Sequence, residues 1–129
     1  MNLKTWAWVF AVVFLVIGIL GFIPGVTTDG ELLGIFHVDG VHNVVHLLTG
    51  IIAAIVAVGS TDAQRKFFQI FGVIYAVVTV IGFVQGDTVL GLFAVNMADN
   101  VLHLVVAVVA LYFGFAGRRG MGQPMGMQS

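Results

Sequence analysis

Four long apolar runs, at residues 6–23, 41–58, 67–84 and 98–116, dominate the 129-residue chain. Each approaches the ~20 helical residues that cross a hydrocarbon core. A span in lipid must satisfy its backbone groups internally, as a helix does. The expected fold class is therefore all-α, a four-transmembrane-helix bundle. Composition agrees: 60% of residues are hydrophobic and 9% charged, whereas a soluble domain carries roughly a quarter charged. The first run follows Lys4 but is longer than a signal-peptide core and precedes no A-x-A site, so it reads as a retained helix. The net charge of −1 gives no bulk attraction to nucleic acid. Absence of cysteine removes disulfides and thiolate chemistry.

The five basic residues set an orientation. Lys4 precedes the first run, Arg65 and Lys66 separate the second from the third, and Arg118 and Arg119 follow the fourth. All fall on one side, which the positive-inside rule makes cytoplasmic, together with both termini. Asp29, Glu31, Asp39 and Asp87 fall on the other side, with Asp99 at the outer mouth of the last helix. Trp6 and Trp8 fit an aromatic belt at the cytoplasmic interface.

The chain also repeats itself. Residues 33–47, LGIFHVDGVHNVVHL, match residues 90–104, LGLFAVNMADNVLHL, at a constant offset of 57. GFIPG at 21–25 matches GFVQG at 82–86 at an offset of 61. This predicts two repeated helical hairpins, about 1–59 and 60–117, forming one domain at 1–117, with a disordered cytoplasmic tail at 118–129. Gly21 and Gly25, like Gly82 and Gly86, form G-x-x-x-G, which serves either close helix packing or C-terminal capping. The packing reading makes a homo-oligomer an expected partner besides the lipid bilayer. Segments 32–38 and 89–95 are too apolar for free loops and read as short interfacial turns or half-helices. Asp39 and Asn96 are N-cap types at equivalent places. Residues 59–66 read as a polar turn, in which Ser60, Thr61 or Asp62 can cap the third helix.

The few polar residues inside the spans are clustered. His42, Asn43 and His46 precede Gly50 on the second helix; Asp99, Asn100 and His103 stand on the fourth. Spacing of i and i+4 puts His42 with His46, and Asp99 with His103, on one helix face each. Polar groups at such depth point into a bundle and find partners. Three readings follow. Asn43, His46, Asn100 and His103 can form a structural hydrogen-bonded core. His42, His46, Asp99 and His103 can hold a transition-metal ion such as zinc, copper or iron, with Asn43 and Asn100 supporting the ligands. His46 and His103 can ligate a b-type haem, although no basic residue stands on the outer side to receive propionates. A proton or solute path would use the same residues. His37 has Ala94 as its counterpart and reads as interfacial. Met121, Met125 and Met127 are thioethers in the tail, suited at most to Cu(I). Tyr75 and Tyr112 each require a hydroxyl partner; Phe67, Phe68 and Phe71 read as packing or lipid-facing residues. No nucleophile elbow, phosphate loop, dinucleotide fingerprint or H-E-x-x-H motif occurs, so the reading leans against an enzyme.

The pattern F-x-V-x-x-x-H-N-x-x-H-L-x-x-G at 36–50, its echo F-x-V-x-x-x-D-N-x-x-H-L at 93–104 and the four runs resemble one family. It is an uncharacterised family of small four-helix bacterial membrane proteins, catalogued as a domain of unknown function. The resemblance covers about residues 3–117 and rests most on the two N-x-x-H-L cores. It implies a multi-pass protein of the bacterial cytoplasmic membrane and carries over Asn43, His46, Asn100 and His103, without an activity.

Overall fold

The structure, a computed structural model, describes residues 2–116. Its helices are α1 (Leu3–Leu20), α2 (Gly40–Ala57), α3 (Thr61–Gln85) and α4 (Met97–Leu111), the last continuing as one π-helical turn, Tyr112–Ala116. All four are long and apolar enough to cross a membrane. The protein is an all-α integral membrane protein in which α1 packs on α2 and α3 on α4. The tail, with Arg118, Arg119, Met121, Met125 and Met127, lies outside the described residues.

Each helix begins where a side chain accepts an otherwise unpaired backbone N–H. Asn2 accepts from Thr5 at 3.1 Å, Asp39 from His42 at 2.8 Å and Ser60 from Ala63 at 3.1 Å. Asn96 and Asp99 form a reciprocal capping box at the start of α4. The expected polar turn at 59–66 is mostly helix. Ser60 caps at once, Asp62 suits the positive end of the helix dipole, and Gln64 turns inward. Its Nε2 donates to the carbonyls of Val56 and Ala57, both at 3.2 Å, and Gly59 at 3.4 Å, closing the end of α2.

Between the helices of each hairpin, the segments expected as short interfacial turns or half-helices are turns, carried on short antiparallel ladders. β1 (Thr27–Thr28), β2 (Glu31–Leu32) and β3 (Phe36–His37) form one sheet. β4 (Thr88–Val89) and β5 (Phe93–Ala94) form another. The reason is local. Leu33 and Gly34 have φ of 57° and 69°, and Leu90 and Gly91 have 55° and 68°. Two successive left-handed residues reverse the chain and end any helix. The turns bury Leu32, Val38, Val89 and Val95 while leaving Leu33 and Leu90 exposed.

The core is aromatic and runs from Phe14 and Tyr75, beside His46 and His103, to Phe10, Phe67, Phe68 and Phe113 toward the end away from the ladders. Trp6 and Trp8 stay partly exposed on the same side, with the Trp6 ring 5.0 Å from that of Phe113. The outward faces are apolar, as Val12, Ile55, Val80 and Val108 show, and this surface belongs against lipid. The two G-x-x-x-G motifs divide their labour. Gly21 and Gly82 lie directly against Asn43 and Asn100, where a Cβ would collide. Gly25 and Gly86 take φ of 92° and 91° and turn the chain out of the helix. Both packing glycines therefore meet partners in their own chain.

Candidate metal centre

The caps at Asp39 and Asn96 fix how far into each helix the polar residues fall. His42 stands in the first turn of α2, and His46 one turn deeper; His103 occupies the corresponding depth on α4. All three are buried. Their ring centroids lie 4.4 Å apart for His42 and His46, 5.5 Å for His42 and His103, and 6.1 Å for His46 and His103. One nitrogen from each comes within 4.8 Å of the others. Metal–nitrogen bonds are ~2.1 Å, so inward shifts of under about 1 Å bring all three to one ion.

Nitrogen bookkeeping defines what the cluster offers. His42 Nδ1 lies 2.7 Å from the Ala94 carbonyl oxygen. A carbonyl only accepts, so Nδ1 carries the proton and a neutral ring leaves the Nε2 lone pair bare. That atom is buried without a partner, as are both nitrogens of His46 and Nδ1 of His103. The imidazoles border a cavity of about 180 Å³ between α2 and α3. Phe14 meets His46 edge-on at 5.5 Å, and Phe93 packs on His42 at 5.1 Å.

Asp99 and the asparagines go elsewhere. The Asp99 Oδ2 accepts from Asn96 N at 2.9 Å, and Asn96 Oδ1 accepts from Asp99 N at 2.9 Å. The carboxylate is also set toward the backbone of His37. Asp99 is thus held by the start of its own helix, whereas His42, its counterpart in the repeat, joins the cluster. Asn43 Nδ2 donates to the Gly21 carbonyl at 3.0 Å. Oδ1 of both Asn43 and Asn100 has no partner, so neither side-chain oxygen bonds an imidazole. His37 is half-buried in β3, opposite Glu31 of β2.

The pair read as axial haem ligands, His46 and His103, has ring centroids 6.1 Å apart, with His42 4.4 Å and 5.5 Å from them.

Several site residues escape the sequence patterns. Thr49 Oγ1 and Tyr75 Oη are 3.0 Å apart, both buried at the cavity wall. Asp39 does more than cap: its Oδ2 accepts from Ala94 N at 2.8 Å. Asn96 Nδ2 answers by donating to the Ile35 carbonyl at 2.9 Å. The cross-hairpin clasp is therefore made by Asp39, His42, Asn96 and backbone groups. For Thr49, the available signal was its spacing from His46 on the same helix face; nothing in the sequence joined Tyr75 to it.

The family described as domain of unknown function DUF4383 matches residues 4–116. The chain belongs to this family. The match takes in all four helices and every residue of the cluster. No curated protein and no solved structure matches the chain.

Proposed function

We propose that this DUF4383 protein is a transition-metal-binding membrane protein, its ion held by His42 Nε2, His46 and His103. The observation that carries the reading is the His42 pair with Ala94. An Nδ1–H donated to a backbone carbonyl is the outer contact that orients a metal-bound imidazole and leaves Nε2 to coordinate. The alternative to an occupant is costly. Buried polar atoms without partners cost about 1–3 kcal/mol each, and an ion would take up three of the four such nitrogens in the cluster, one from each histidine.

Three imidazoles suit zinc, copper or iron. Three protein ligands with a cavity alongside leave a fourth coordination position open. Asp99 stays in its cap in this reading and is not a ligand. The purely structural role expected of the histidines passes to the clasp around them. We further infer that the side bearing the five basic residues is cytoplasmic, which sets the centre toward the outer leaflet of a bacterial cytoplasmic membrane.

Metal analysis of protein purified without an affinity tag tests the proposal. About one ion per chain is expected, lost in His46→Ala and in His103→Ala and retained in Asp99→Asn. Protein that takes up no zinc, copper or iron, or histidine variants that keep the full complement, would overturn it.

A further inference from the structure

The histidine cluster is closed toward both ends of the bundle and open on one side. Toward the ladders, Phe93 packs on His42 at 5.1 Å, and Ala94 is clasped by His42 and Asp39. Toward the other end, Phe14 lies 5.5 Å from His46, and Tyr75 lies 5.6 Å from His103. The three imidazoles are at most 3% exposed. The cavity in front of them leads sideways instead. Its wall includes Ile74, exposed on the outer face of the bundle, and the half-buried Val45, Phe71 and Val78. All four stand within the apolar spans, so the mouth faces hydrocarbon.

The groove between α1 and α4, also about 180 Å³, has no histidine in its wall. At the repeat offsets, its Phe10, Val13, Phe14 and Val106 are the counterparts of Phe71, Ile74, Tyr75 and Thr49. One of two equivalent grooves therefore ends on the cluster.

The walls of that groove select what enters. Val45, Phe71, Ile74, Val78 and Phe93 are apolar, and the Thr49 and Tyr75 hydroxyls are taken up by each other and by the Val45 carbonyl. The unpartnered polar atoms along it are histidine nitrogens. No charged side chain lines it. An ionised ligand would have to cross hydrocarbon and an apolar wall, at a cost that a neutral one avoids. A dry cavity of about 150 Å³ accepts a benzene ring, so this one admits a molecule of about that size or less.

We propose that the α2/α3 groove admits a small, neutral, lipid-soluble molecule with a terminal lone-pair donor atom, the class of the diatomic gases and isocyanides, to the open coordination position of the centre. The molecule enters from inside the bilayer. This inference rests on the metal-centre reading and names the ligand class of that site.

The test loads the full chain in lipid nanodiscs with Cu(I) or Fe(II), both of which bind isocyanides. Stopped-flow infrared spectroscopy follows the isocyanide stretch, which separates coordinated from free probe. Methyl isocyanoacetate and isocyanoacetate share the donor carbon, but the first is neutral and the second an anion. The ester is expected to saturate at one per ion and to bind at least tenfold faster than the anion. Val78→Phe, which fills the groove, should slow the ester at least tenfold with ion content at the parent value. Val77→Phe, exposed to lipid and outside the cavity wall, should leave the rate unchanged. An ion-loaded parent chain that binds both probes at equal rates, or neither, would overturn the proposal and leave the metal centre standing. So would an unchanged ester rate in Val78→Phe. Should that variant lose its ion, the two probes on the parent chain decide. Absence of any bound ion is read separately, from metal content, and would overturn the centre and this entry route together.

Discussion

Gly21 and Asn43 are in direct contact across α1 and α2: the asparagine Nδ2 donates to the glycine carbonyl at 3.0 Å, and no Cβ holds the amide away. Gly82 and Asn100 approach each other in the same way across α3 and α4. The contact sets the height of α2 against the end of α1, and with it the depth of His42 and His46. Gly21→Ala should overpack this point and cost about 1–3 kcal/mol, read as a lower melting temperature in detergent. Gly40→Ala is the companion. Gly40 has open space around its Cβ position and lies within α2, so alanine there should be neutral or stabilise by up to about 1 kcal/mol. Equal melting temperatures for Gly21→Ala and the parent would show that the close approach does not determine packing.

Asp39 joins local and distant structure. One oxygen caps α2 and the other accepts from Ala94, whose carbonyl orients His42. Asp39→Ala should cost about 1 kcal/mol through the lost cap. It should also lower metal affinity by about 10- to 100-fold, the usual penalty for losing support behind a ligand. Asp39→Asn keeps a cap acceptor and should preserve most of the stability. Competition with a chromogenic chelator measures the affinity, and an unchanged value in Asp39→Ala would separate the clasp from the centre.

Gln64 serves stability without touching the cluster. Its amide reaches three carbonyls at the end of α2. Gln64→Leu leaves those buried acceptors short of a donor and should cost about 1–3 kcal/mol. Denaturation should shift while metal stoichiometry stays at the parent value. A simultaneous loss of bound ion would mean that the two ends of the bundle are coupled.

Orientation can be read from single cysteines. Thr28 and Asp87 are accessible at the ladder end, and Asp62 at the opposite end. In intact cells stripped of their outer membrane, Thr28→Cys and Asp87→Cys should react with an impermeant maleimide. Asp62→Cys should react only after the membrane is opened. The reverse pattern would turn the protein over.

The sequence alone determined the parts of this protein that depend on short-range chemistry. Four apolar runs dictate four helices because lipid offers the backbone no other partner. Asp39 and Asn96 dictate where α2 and α4 begin because a cap acts over three residues. The i, i+4 spacing put His42 beside His46 for the same reason. The ladders at 27–37 and 88–94 were less legible: their apolar residues resemble a half-helix until the left-handed pairs Leu33–Gly34 and Leu90–Gly91 are seen. Only the tertiary structure decided which polar residues converge. Asp99 and His42 hold the same repeat position, yet a carboxylate accepts N–H groups and is drawn into its own helix cap, while an imidazole donates to Ala94 and keeps a lone pair for the cluster. Thr49 and Tyr75, 26 residues apart, meet only because two hairpins pack side by side, and no local pattern encodes a contact made across that distance.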